Sequence, residues 1–182
     1  MSEIRTHSGR TLSVEDPDPD AILIEDIAHA LSFLCRGAGQ TNFFFPVARH
    51  CVLCAGEAEA RGMSRDIVLA CLLHDASEAY MVDIPRPIKD TLIPAYRICE
   101  NRLLDCIYRK FLGRPLTESE LSTVSEIDDA LLSYDLRFLL NMDVPLAPLH
   151  IPVDYVFEPM EQTRQAYLDT FYALTASQTE KT

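Results

Sequence analysis

His74 and Asp75 stand side by side at the end of an apolar run, Asp66-Ile-Val-Leu-Ala-Cys-Leu-Leu-His-Asp-Ala-Ser-Glu-Ala-Tyr80. A core helix normally ends in a cap or a solvated charge. An imidazole next to a carboxylate predicts instead that a buried segment delivers both groups into a cleft, where they bind a divalent metal. Further ligands must come from elsewhere in the chain. His50 lies beside the apolar face of the preceding helix, and Asp128 and Asp129 interrupt a later apolar pattern. Consecutive helical positions point about 100° apart, so at most one of the two aspartates faces inward. His50, His74, Asp75 and Asp129 would offer two imidazoles and two carboxylates from three helices. Mixed nitrogen and oxygen donors suit zinc, manganese, cobalt or iron better than calcium. An ion held there could activate water and grip a phosphate oxygen, which is what phosphoester hydrolysis requires.

These residues need a scaffold, and the pattern is helical throughout. Ser8-Gly9-Arg10 reads as a turn between two short extended pieces, and Asp20 could cap the helix after the stiff Asp16-Pro-Asp-Pro-Asp20 loop. Ile24, Ile27, Ala28, Leu31 and Leu34 recur at helical spacing up to about Cys35, with His29 as a packed interior histidine. Arg36 follows at the break into a glycine-containing loop. It is either a solvated arginine or a contact for phosphate. Phe43-Phe-Phe45, a core or interface element, leads into a second helix with Pro46 near its first turn. Ser64 can cap the third helix, which is apolar all round and therefore central. Asp83-Ile-Pro-Arg-Pro-Ile-Lys-Asp90 reads as an irregular loop made positive by Arg86 and Lys89. A fourth helix stops at Gly113, and Thr117-x-x-Glu120 is a capping box for the fifth. A proline-containing connection, 141–157, precedes a last helix after Pro159, and the polar tail beyond Ala176 should fray. The expected fold is all-α: one compact domain over 1–182, of about six helices, with its core in about 20–176.

Composition narrows the function. A net charge of −12 argues against sequence-independent nucleic-acid binding, which needs basic surface. It still permits a small phosphorylated substrate, because a metal and one or two basic side chains can reverse the sign locally. No apolar run approaches the length of a membrane span, and residues 1–20 lack a signal-peptide core, so a cytoplasmic location is expected. The six cysteines read as reduced, buried small hydrophobes. Cys51-x-x-Cys54 lacks the second pair that a four-cysteine zinc site needs.

The order His50, His74-Asp75, Asp129 resembles the pattern of the HD-domain superfamily of metal-dependent phosphohydrolases. His74-Asp-Ala-Ser-Glu78 followed by Asp83-Ile-Pro-Arg-Pro-Ile-Lys89 is similar to the bacterial 5'-deoxynucleotidase branch, of which phage dATP triphosphohydrolases are compact relatives. The resemblance covers about residues 20–140. It implies that His50, His74, Asp75 and Asp129 are the metal ligands, Asp129 being chosen over Asp128 for its Asp-Ala-Leu context. It also implies that Glu78 is a catalytic carboxylate and that Asp83 lies near the attacking water or the substrate. Arg36 resembles a phosphate-contacting arginine, and Lys89 could balance the same charge. The cofactor would be one divalent ion: zinc, manganese, cobalt, iron or magnesium. The branch carries a tryptophan after that arginine, whereas here Gly37 follows and the chain has no tryptophan.

The implied activity is metal-dependent hydrolysis of nucleotide phosphate esters, foremost as a (deoxy)nucleoside 5'-monophosphatase. The alternatives are a triphosphohydrolase, a phosphohydrolase of another small phosphorylated metabolite, and a non-catalytic metal- or nucleotide-binding module. The resemblance further implies a homo-oligomer.

Overall fold

The polar start of the chain folds back on itself. In the computed structural model, which describes residues 3–176, Glu3–Arg5 (β1) pairs antiparallel with Thr11–Ser13 (β2), with Ile4 opposite Leu12. Gly9 closes this ribbon at φ +85°, a conformation that costs glycine no Cβ clash. Leu12 is fully buried and ties the ribbon to the core. The expected tail beyond Ala176 lies outside the described residues.

The helices follow from the apolar spacing, and most of their ends follow from local chemistry. Asp18, not the expected Asp20, is the first cap. Its carboxylate accepts from the Asp20 N–H at 2.9 Å and closes a 3-10 turn over Pro19–Ala21. Helix α1 starts only at Ile24–Phe33, with no side-chain cap. Helix α2 is Val47–Ala60, entered from Pro46. Ser64 caps α3, Arg65–Leu73, as expected. A short turn of helix, α4, spans Glu78–Met81. The segment predicted to be irregular forms a further short helix, α5, over Arg86–Leu92. Prolines 85 and 87 do not block it, because they fall at its cap and first turn, where no intrahelical N–H is required. Helix α6 spans Pro94–Leu112 and ends on the left-handed Gly113. Helix α7, Glu118–Phe138, begins with the full Thr117/Glu120 capping box. After an irregular connection, α8 covers Met160–Thr175. The six longer helices are those expected from the sequence, α4 falls where residues 76–80 read as continued helix or a bent turn, and α5 is additional.

Helix α3 is the axis of the domain. Every residue from Ile67 to Leu73 is buried, and α2, α6, α7 and α8 pack around it. Full burial of side chains such as Leu69, Leu72 and Leu73 stabilises by about 1.5–3 kcal/mol each. Tyr167 of α8 donates to the Leu72 carbonyl at 3.0 Å, a bond that seats α8 near the end of α3. Phe45 is fully buried and belongs to the core. Among the described residues no helix is long and apolar enough to cross a membrane.

Candidate metal centre

Helix α3 runs through the core and stops where α2 and α7 flank it, so its last residues enter a polar corner. His74 is the C-cap of α3. Its Nδ1 lies 2.7 Å from the Cys71 carbonyl and donates to it, which turns Nε2 inward. That Nε2 is buried and has no hydrogen-bond partner among the described residues. It faces Asp75 Oδ2 at 3.3 Å and Asp128 Oδ1 at 3.6 Å. From α2, His50 Nε2 lies 2.9 Å from the same Asp128 oxygen and 3.4 Å from Cys54 Sγ. Single donor atoms of His50, Cys54, His74 and Asp128 all lie within 4.8 Å of one another, and Cys51, His74 and Asp75 form an overlapping group. This buried cluster could hold a metal ion. A buried imidazole nitrogen left without a partner is costly, and a ligand role satisfies it.

The expected ligand Asp129 is not among these donors. It is half exposed and accepts from Arg86 Nη1 at 2.9 Å. Asp128 takes the inward position, with Arg86 Nη2 3.2 Å from its second oxygen. The reason is the phase of α7. Val124, Asp128, Leu131 and Asp135 repeat at four- and three-residue steps along one face, and Val124, Leu131 and Asp135 are buried. That stripe is visible in the sequence, whereas the Asp-Ala-Leu context selects its neighbour. The cysteines also need correction. Cys51, Cys54 and Cys71 are free and buried, as small hydrophobes would be, but Cys54 sits one turn from His50 and adds sulfur to the donor set. Burial pushes the Cys71 thiol up to about 12, so it stays neutral.

Charge around the cluster is arranged in pairs. Arg36 opens a 3-10 turn, Arg36–Gly39, in which Gly37 and Ala38 both take positive φ. Its Nη1 lies 3.2 Å from Asp75 Oδ2 and its Nε 3.2 Å from Asp135 Oδ2. Burial alone would weaken the guanidinium's hold on its proton, but Asp135 and Asp75 outweigh it. Asp75 is likewise opposed by burial, yet His74 and Arg36 hold its carboxyl well below the usual range. Burial also opposes ionisation of Asp128, but its bond to His50 and the nearby His74 prevail and hold its pKa well below the usual range. His50 and His74 end up more basic than ordinary histidines. Burial works against both, and Arg36 also works against His50, but the anionic neighbours prevail.

The remaining expected residues split into two groups. Asp83 accepts from the Gly37 N–H at 3.2 Å, at the edge of the Arg36 turn, and burial raises its pKa. Glu78 is pushed well above the usual carboxyl range, by burial first and then by Asp75 and Asp83, and its Oε2 is buried without a partner among the described residues. Lys89 does not project freely toward the cluster. It is buried between Glu78 at 3.2 Å and Glu100 at 2.5 Å, so it braces Glu78. Sequence reasoning missed Asp135 and Tyr155. The Tyr155 hydroxyl donates to Asp135 Oδ1 at 2.9 Å, from an irregular connection with no periodicity to mark it.

No protein-family model matches the chain. It is 39% identical over 115 residues to YfdR, an uncharacterized protein of Escherichia coli strain K12, a match covering 63% of this chain and 61% of the relative. It is also 39% identical over 112 residues to an uncharacterized protein of Rhodobacter capsulatus, covering 59% of this chain and 57% of that one. The matched stretch therefore spans less than two thirds of either relative.

Proposed function

We propose that the protein is a metal-dependent phosphohydrolase acting on nucleotides, foremost as a (deoxy)nucleoside 5'-monophosphatase. The observation that carries this is the buried, unpaired Nε2 of His74, facing His50, Asp75 and Asp128 with a buried arginine alongside. The resemblance of His74-Asp-Ala-Ser-Glu78 and Asp83-Ile-Pro-Arg-Pro-Ile-Lys89 to 5'-deoxynucleotidases supports the same reading.

His50, His74, Asp75 and Asp128 would hold the ion, which is zinc, manganese, cobalt, iron or magnesium. When bound, it supplies a Lewis acid for a phosphate oxygen and a water of lowered pKa. Arg36, held by Asp75 and Asp135 beside the cluster, would offset the charge of the substrate phosphate. Burial and the Asp75 and Asp83 carboxylates favour the protonated form of Glu78, against Lys89. Its free Oε2 can pass that proton to the leaving sugar oxygen, while Lys89 holds Oε1 in place. Asp83, tied to the Gly37 amide, keeps the Arg36 turn closed on the site.

A nucleotide panel run with several divalent metals tests this. Inorganic phosphate released from monophosphates is the expected product, and tripolyphosphate from triphosphates would mark the triphosphohydrolase instead. No turnover of any nucleotide with any metal would refute the activity. One observation favours a second reading. His50, Cys54, His74 and Asp128 together make four donors, enough to fill a tetrahedral zinc ion and leave no open position. A non-catalytic module of that type would hold zinc without letting phosphate reach it.

A further inference from the structure

Asp135 lies outside the ligand group, yet three functional side chains converge on it. It is only 3% exposed. Its Oδ1 accepts from the Tyr155 hydroxyl at 2.9 Å. Its Oδ2 accepts from Arg36 Nε at 3.2 Å and stands 3.0 Å from His50 Nδ1, off the axis of a hydrogen bond to that nitrogen.

The chemistry of a ligating histidine gives this arrangement a use. An imidazole that offers Nε2 to a metal must carry its proton on Nδ1, and it needs an acceptor there to fix its tautomer and ring angle. For His74 that acceptor is the Cys71 carbonyl. For His50, Nε2 faces the donor cluster, and the acceptor nearest Nδ1 is Asp135 Oδ2 at 3.0 Å, which a small ring rotation would bring into line. The same carboxylate oxygen holds the arginine that faces Asp75. Tyr155 reaches in from the far side and occupies the other oxygen, so the carboxylate cannot rotate away.

We propose that Asp135 is a positioning residue shared by two subsites: it sets the tautomer of the metal ligand His50 and aims the phosphate-binding Arg36, with Tyr155 locking it in place. This rests on the reading of His50 as a ligand and Arg36 as a phosphate contact. Asp135 thereby links metal binding to anion binding. A change at this one carboxylate weakens both, although it touches neither the ion nor the phosphate.

The test uses Co2+ as an absorbing probe of the full chain, with inorganic phosphate added to the loaded protein. Asp135→Asn keeps the shape and removes the charge. It is expected to weaken Co2+ binding by about 10–100-fold, to alter the visible Co2+ bands, and to weaken the phosphate-induced spectral change. Arg36→Ala is expected to lose the phosphate response while Co2+ still binds, because the guanidinium offers the ion no donor atom. Tyr155→Phe removes one hydrogen bond, so it serves if Asp135→Asn does not fold. It should weaken Co2+ binding by about 3–10-fold at an unchanged fold. Parental Co2+ affinity and bands in folded Asp135→Asn, or in Tyr155→Phe where it stands in, overturn the proposal while the metal reading survives. If the parent chain itself binds no Co2+, the metal reading falls and the proposal falls with it.

Discussion

Two pairs of histidines sit in different parts of this domain and have opposite chemistry. His50 and His74 meet at the end of α3, with ring centroids 5.3 Å apart and tilted. Carboxylates surround them, and their pKa values rise despite burial. His7 and His29 stack face to face at 3.6 Å where the N-terminal ribbon meets α1. Asp26 beside them is already committed to the Ser8 amide and hydroxyl, at 2.7 Å each. Partial burial and the charge of His7 lower the pKa of His29. The first pair has an open nitrogen with carboxylate oxygens facing it; the second has ring faces in contact and a carboxylate bonded to Ser8. Residue type made all four candidates for metal chemistry, but only the surroundings of one pair suit it.

The comparison breaks most directly at the histidines themselves. His74→Ala should lower metal affinity by more than about 100-fold, beyond what loss of a supporting group costs, and should abolish nucleotide hydrolysis. His29→Ala should leave both unchanged and cost less than about 1 kcal/mol of stability. Metal titration and a thermal melt of the two variants decide it, and equal metal affinity in both would remove the distinction.

The next largest effect separates the neighbouring aspartates. Asp128→Ala should weaken metal binding by at least about tenfold, whereas Asp129→Ala, which loses a half-exposed partner of Arg86, should stay near the parent. If the order were reversed, α7 would be presenting its other face to the ion.

Acidity offers a third handle. A metal must displace the protons that His50 and His74 hold in the metal-free protein. Because those imidazoles are more basic than a free histidine at about 6.5, metal affinity should keep rising with pH above that value. Zinc or cobalt titrations from about pH 6 to about pH 8 would show the slope, and a flat profile would contradict the raised basicity.

The smallest effect is on stability without metal, where His50 and His74 should pull against His29. Groups with raised folded pKa, His50 and His74, contribute stability that is present below the unfolded value of about 6.5 and lost as pH climbs through the folded values. His29, whose folded pKa is lowered, contributes a penalty instead. Stability is lost as pH falls below about 6.5 and through its folded pKa. His29→Gln should therefore flatten the acid side of a melting-temperature profile in chelator, while His50→Gln should flatten the neutral side. Identical profiles for both variants would show that the two environments do not differ as described.

Much of the scaffold was legible because it depends on neighbours in the chain. The apolar run Ile67–Leu73 had to be central, Ser64 and Thr117/Glu120 had to start helices, and Gly113 had to end one. Each of these rests on interactions within one or two turns. The pairing of His74 with Asp75 was equally plain, since a buried helix rarely ends that way. The α5 segment was misread for a local reason: its prolines were counted as breakers when their positions made them starters.

By itself, then, the sequence determined an all-α domain with a histidine and an aspartate at the end of its central helix. Tertiary structure alone decided which groups meet them. Helical phase, legible in the sequence, turned Asp128 inward and set Cys54 one turn from His50, but only packing brought α2, α3 and α7 to one corner. Asp135 and Tyr155 lie 99 and 119 positions beyond Arg36, yet they complete its surroundings. Contacts that span so much chain depend on how helices pack, and no local propensity encodes that.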